Sequence, residues 1–260
     1  LQHVTSADGT PIAYDRTGEG PAVVLVGGAF GDRREPTLAG LAALLAPSFT
    51  VCVYDRRGRG DSGDVHPYAV EREVDDLAAL VAALGGEALV FGGSSGGALA
   101  LEAAARGLPI TRLAVFEPPY VTDPARPPLP GEKELTALVE SGFRDQAVEL
   151  FLTGGADLPA EMVAQMRAQP FWAAMEDVAH TLAYEAAVVG PGPVPAERLA
   201  GVGVPVLVLA GSESSPRMRD AAAAVTAALP DARLHTLEGQ AHGALDPAAL
   251  ADLLTRFFTA

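Results

Sequence analysis

Short, continuously apolar runs constrain this chain more than any other feature: AVVLVGG at 22–28, ALVFG at 88–92, ITRLAVFE at 110–117 and VPVLVLAG at 204–211. Runs of this length, rich in Val and Leu and closed by glycine or an acid, suit strands buried on both faces. PIAYDR (11–16), FTVCVYD (49–55) and ARLHTLEG (232–239) add further strands, with turn residues such as TGEGP between them. Helical patterns lie in between. Val70, Val74, Leu77, Val81 and Leu84 recur at helical spacing within 68–84, with acids on the opposite face. GALALEAAARG (97–107) and PAALADLLTRFF (247–258) read as helices too. Strands alternating with helices predict an α/β fold: a mostly parallel central sheet with helices on both faces.

The alternation stops near residue 118. PPYVTDPARPPLPG (118–131) is Pro-rich, and helical patterns follow that carry Leu135, Leu138, Phe143, Leu150, Phe151, Met162, Met166, Phe171, Trp172, Met175 and Tyr184. GPGPVP (190–195) closes the region. Residues 118–195 are therefore expected to form a helical lid inserted into one core made of 1–117 and 196–260. Ordinary helix packing accounts for the aromatic and methionine side chains of the insertion.

Eighteen Lys and Arg against 33 Asp and Glu leave a net charge of −15. That surface repels phosphate backbones and anionic lipid, which argues against nucleic-acid and membrane partners. Cys52 is the single cysteine, so neither an intrachain disulfide nor a cysteine-based metal site is expected. Its place between Val51 and Val53 suits a strand core. With no long apolar stretch, the chain reads as soluble and cytoplasmic, although Leu1 is not an initiator Met.

GGSSGG (92–97) directly follows an apolar strand. A nucleophilic serine needs to project from its backbone, to meet a base, and to sit beside N–H groups that receive an oxyanion. A sharp strand-to-helix turn supplies all three, and its crowding demands small residues two positions either side of the serine. Gly92 and Gly96 flank Ser94 in this way; Gly93 and Gly97 flank Ser95. The apolar run ends at Phe91, so the turn should start at Gly92, which favours Ser94.

Together with GGAF (27–30), YDRRGRGDS (54–62) and GQAHG (239–243), taken in this order, the serine turn resembles the α/β-hydrolase superfamily over nearly the whole chain. The resemblance implies a base in the loop after the last strand, where His242 sits, in preference to His3, His66, His180 or His235. His180 is expected to be a lid residue able to reach ligand. The triad acid is expected at Glu117, which ends a strand, with Glu213 in AGSESSP as the alternative. Oxyanion donors are expected from the Ser95 amide and from Ala29, or else Phe30. Gly27-Gly28 stands where many relatives carry His-Gly. GRGDSG (58–63) matches a dinucleotide-binding pattern only literally and resembles a structural loop that Asp55 and Arg56 would fix. Asp75-Asp76 is expected on a solvated helix face.

These residues lead to a serine hydrolase acting on an ester, thioester or lactone of a hydrophobic small molecule, with no cofactor and no metal. The same triad could also serve cofactor-free perhydrolysis, or a biosynthetic acyl-transfer or cyclisation step. A non-catalytic, ligand-binding relative is the rival from another class. Oligomeric state is left open.

Overall fold

The computed structural model describes residues 1–123, 125, 129–156, 158–190 and 192–260. Strand β1 (Gln2–Thr5) pairs antiparallel with β2 (Pro11–Thr17), with His3 opposite Ala13. The chain continues through β3 (Ala22–Val26), α1 (Pro36–Leu45), β4 (Thr50–Tyr54) and α2 (Val70–Ala83). It then runs through β5 (Ala88–Gly93), α3 (Ser95–Ala105) and β6 (Ile110–Phe116). Between β6 and β7 lie α4 (Glu132–Glu140), α5 (Arg144–Leu150), α6 (Ala160–Arg167), α7 (Trp172–Asp177) and α8 (Leu182–Val189), within the expected insertion, and the short α9 (Ala196–Leu199), whose Leu199 packs in the main core. The core resumes with β7 (Val206–Gly211), α10 (Pro216–Ala228), β8 (Ala232–Leu237) and α11 (Pro247–Thr259).

The eight strands form one sheet in the order β1-β2-β4-β3-β5-β6-β7-β8. β2 meets β4 antiparallel, and every pair from β4 to β8 is parallel. Side chains alternate across a strand, and here both faces are covered. Val24, Val26 and Val90 pack with Leu77 of α2, Leu99 of α3 and Val225 of α10. Val23, Leu25 and Phe91 pack on the other face with Leu41 of α1 and Leu254 and Phe257 of α11. Burial on both faces explains why these strands read as continuous apolar runs. Cys52 is buried in the sheet, which pushes its thiol up to about 12.

Helices α1, α10 and α11 start at Glu35, Ser215 and Asp246, whose side chains accept hydrogen bonds from the first-turn amides, each followed by proline. The apolar patterns did not point to α1 or α10, although Glu-Pro and Ser-Pro are start signals of this kind.

The insertion has its own small core of Leu135, Val148, Leu152, Trp172 and Leu182, against which Phe30 and Tyr68 of the main body pack. Helix α5 passes into a π-helical turn, Phe151–Gly155. Phe143, Met162 and Phe171 stay exposed, unlike the packed aromatic and methionine side chains expected throughout this region. Residues 124 and 126–128 of the Pro-rich stretch and residue 191 of GPGPVP lie outside the described residues. Among the described residues, no helix is long and apolar enough to cross a membrane.

Candidate active site

The parallel strands β5 and β6 end side by side, and the chain turns sharply at Ser94 between β5 and α3, with φ 54° and ψ −127°. The Ser94 amide is tied across to Phe116 O at 2.8 Å. A Cβ on Gly92 would lie 2.5 Å from Gly96 O, and one on Gly96 would lie 2.4 Å from Val26 O. No side chain fits at those contacts. A Cβ on Gly93 would meet nothing within 4 Å. The glycines that the turn demands are thus those two places either side of Ser94. Ser95 is buried at the start of α3, and its Oγ has no hydrogen-bond partner among the described residues.

His242 arrives in the loop between β8 and α11, its ring over that of Phe116 at 6.1 Å. Nε2 lies 3.1 Å from Ser94 Oγ and Nδ1 lies 2.8 Å from Glu117 Oε2. Glu117, directly after β6, is fully buried. Its second oxygen, Oε1, accepts from the Gly211 amide at 2.8 Å. Because that carboxylate can only accept, Nδ1 carries the hydrogen and Nε2 is left to accept from the serine. Glu213 is exposed beyond β7, its amide donating to Gln240 O at 2.9 Å. His3 and His235 lie exposed on β1 and β8, and His66 is exposed in a loop. His180 does not line the cavity above Ser94. It faces a separate hollow of about 290 Å³ with Tyr68 and Tyr184, and burial, opposed by Asp64, holds its imidazole below the usual range.

The loop after β3 lies against the serine turn: a Cβ on Gly28 would come 3.1 Å from Ser94 Cβ. Among the described residues, no acceptor takes the amide hydrogens of Ala29, Phe30 or Ser95. Phe30 has φ 65° and sets its ring edge-on to Phe151 at 5.6 Å. Phe30, Ser94 and Glu117 are the non-glycine residues with positive φ among those described, so backbone strain gathers at this one place. Above it opens a cavity of about 400 Å³, walled by Phe151, Leu152, Leu158, Met166, Met175 and Met218, with Ser94 and His242 at its floor. Among the described residues, no three His, Cys, Asp or Glu side chains converge to hold a metal ion.

Residues 23–253 match the model of the alpha/beta hydrolase family. The chain belongs to that family. The hydrolase superposes on the crystal structure of an alpha/beta hydrolase from Sphaerobacter thermophilus with 53% identity and a TM-score of 0.92, covering 99% of this chain and 100% of that one. It shares its fold with the enol-lactonase from Burkholderia xenovorans, at 21% identity and a TM-score of 0.75 over the full length of both chains. Over 98 residues, 36% of this chain, it is 38% identical to the uncharacterized hydrolase YraK of Bacillus subtilis, and the match spans 35% of that protein.

Behind the hydrolase's site lies a buried charged cluster. Arg56 grips both oxygens of Glu73 at 2.8 Å and meets Glu185 of α8 at 3.0 Å, while Arg59 pairs with the same Glu185. All four side chains are buried. Burial and the neighbouring Arg56 push Arg59 down to about 9, still a cation at neutral pH. Asp55 fixes the loop that follows it, accepting from the Asp61 amide at 2.8 Å and from Arg33. Arg56 instead reaches out of that loop to α2 and α8. The expectation of a solvated Asp75-Asp76 face holds for Asp75, which is exposed, and fails for Asp76. Glu73 is buried against Arg56, and Asp76 is buried against Arg57 at 2.7 Å. Glu73 stands three positions after Val70 and four before Leu77, and Asp76 four before Leu80, so both sit at the edge of the buried face, where arginines from YDRRGRGDS cover them. Sequence reasoning also missed Arg59 and Glu185, which lie 126 positions apart. An acid within the apolar helix LAYEAAVV was the available signal.

Proposed function

We propose that this hydrolase cleaves an ester, thioester or lactone of an apolar small molecule through an acyl-enzyme on Ser94. One observation carries the reading. Ser94 Oγ, His242 and Glu117 lie in a single hydrogen-bonded line at 3.1 and 2.8 Å, opening onto an apolar cavity beside unclaimed amides. As Ser94 Oγ bonds to the substrate carbonyl carbon, its proton passes to His242 Nε2. The carbonyl oxygen, now an oxyanion, takes hydrogen bonds from the Ala29 and Ser95 amides. On collapse the bond to the leaving alkoxide or thiolate breaks, and His242 returns its proton to that group. Water then enters and gives a proton to His242. Its oxygen attacks the acyl carbon, and Ser94 leaves with the proton restored. Glu117 keeps Nδ1 protonated and stabilises the imidazolium.

The cavity wall supports an apolar acyl or alkyl group. The enol-lactonase shares the fold, which lends support to a lactone as one acceptable substrate. The rival reading, a ligand-binding relative, rests on an irregular acid site and on Gly27-Gly28 in place of His-Gly, and the contact of Glu117 with His242 speaks against the first of these. A fluorophosphonate probe tests the reading directly. The wild-type chain is expected to be labelled and to turn over short p-nitrophenyl esters, and Ser94→Ala to do neither. Equal labelling of the two proteins rejects Ser94 as nucleophile.

A further inference from the structure

The loop carrying Ala29 has glycine at 27 and 28, so no side chain of those residues braces it. It is held through its carbonyls instead. Arg56 donates to Gly27 O at 3.4 Å, and Arg59 donates to Gly28 O and, at 3.5 Å, to Gly31 O. The Gly28 carbonyl and the Ala29 amide belong to one planar trans peptide, in which C=O and N–H point in opposite directions. Drawing Gly28 O toward Arg59 therefore turns the Ala29 N–H the other way, in a loop that lies against the serine turn, where a Cβ on Gly28 would come 3.1 Å from Ser94 Cβ. Arg59 is itself clamped. Its Nε donates to Thr181 Oγ1 at 3.2 Å, and its other amino group pairs with Glu185, which also lines the cavity.

We propose that Arg59 is the positioning residue of the oxyanion hole: it fixes the Gly28–Ala29 peptide, and Glu185 on the inserted helix α8 fixes Arg59. The insertion then does more than wall the cavity, because one of its carboxylates completes the donor geometry from behind. This rests on the acyl-enzyme reading above. It adds that the transition state, and not substrate affinity, depends on a guanidinium that never touches substrate.

The test compares wild type, Arg59→Met, Arg59→Lys and Glu185→Gln. For each, kcat and KM for p-nitrophenyl butyrate are measured, with affinities for butylboronic acid, which mimics the tetrahedral adduct, and for butyrate, the product. Arg59→Met is expected to lower kcat by about 10- to 100-fold, less than or equal to the loss of an oxyanion donor itself. KM and butyrate affinity should stay within about twofold, and boronate affinity should fall with kcat. Arg59→Lys, which keeps one donor, should recover part of the loss. Should Arg59→Met fail to fold, Glu185→Gln, which keeps Arg59 but loosens its clamp, should show the same pattern at smaller size. A folded Arg59→Met with wild-type kcat, or equal weakening of boronate and butyrate, overturns the positioning role alone. A wild-type protein that neither turns over the ester nor labels at Ser94 overturns the acyl-enzyme reading and this inference with it.

Discussion

Ser94, His242 and Glu117 meet in a line whose near end opens on the cavity, whereas Arg56, Arg59, Glu73 and Glu185 meet in a closed cluster behind it. Both assemblies bury carboxylates. In the cluster, two guanidiniums balance two carboxylates before any substrate arrives, so proton movement would gain nothing there. Glu117 is fully buried, yet among the described residues it meets no guanidinium, only the Gly211 amide and the His242 ring. In the proposed mechanism its charge is balanced when His242 takes the proton of Ser94. A buried acid facing an imidazole would stabilise the imidazolium more than the neutral ring, which is what the proposed general base needs. A buried acid facing arginine favours the fold.

The largest expected effect breaks the first half of that contrast. Glu117→Gln is isosteric and can still accept from Gly211, but its amide presents a donor to Nδ1 and moves the ring hydrogen to Nε2. His242 then cannot receive the serine proton. Turnover should fall on the order of 10⁴-fold with stability little changed, measured by ester kinetics beside urea unfolding. A fall below about tenfold would show that the charge of Glu117 is not what activates His242.

The next effect, on stability and not chemistry, sharpens the second half. Arg57 pairs with Asp76 at 2.7 Å and Asp8 at 3.0 Å and does not line the cavity. Arg57→Met leaves the buried Asp76 without its cation, at a cost of about 3–5 kcal/mol. Urea unfolding should register that loss while kcat per folded molecule stays at the wild-type value. A drop in kcat without loss of stability would place Arg57 in the chemistry.

Smaller again is the contrast between two neighbouring glycines. Gly96→Ala drives a Cβ against the carbonyls of Val26 and Gly27, 2.4 and 2.5 Å away, and should cost about 1–3 kcal/mol. Gly93→Ala meets open space and should stay within about 0.5 kcal/mol of wild type. Thermal unfolding of the two variants decides whether the serine turn is spaced for Ser94 or for Ser95.

The same contrast explains which parts of the molecule are legible in the sequence. The strands are legible because burial on both faces writes itself as unbroken Val and Leu runs. Ser94, His242 and Glu117 are brought together by the structure; Ser94 is legible because its turn admits only glycine at Gly92 and Gly96, whereas His242 and Glu117 are legible only through the resemblance to α/β-hydrolases. The charged cluster is not. Arg56, Arg59, Glu73 and Glu185 come from three separate segments, and helical periodicity sets Glu73 and Asp76 at the edge of a buried face without naming what meets them there. The partners that bury them are set by tertiary packing, which no local window contains. Helices α1 and α10 escape for a simpler reason: α1 carries Leu38, Leu41, Ala42 and Leu45 at helical spacing but has little polar contrast around them, α10 is alanine-rich, and the plainer signal at each is a cap followed by proline.

Acid titration separates the two carboxylates of α2 and gives the smallest of these effects. Burial lifts both, but for Glu73 the Arg56 pair outweighs it and holds the carboxyl below its ordinary 4.5. For Asp76 burial outweighs Arg57, and the carboxyl is held above its ordinary 3.8. A carboxyl lowered by folding contributes stability above its unfolded value and loses it as pH falls through the folded one; a raised carboxyl does the reverse. Below pH 4.5 Glu73 should therefore make the protein less stable with each step of acidification. Asp76 should partly offset that loss between 3.8 and its raised value. Urea midpoints between about pH 3 and 7 check the signs. The slope should become shallower in Glu73→Gln, which is also less stable at neutral pH because Arg56 has lost half its compensation, and steeper in Asp76→Asn. Parallel slopes in all three proteins would mean that the cluster holds its charges without coupling their protonation to folding.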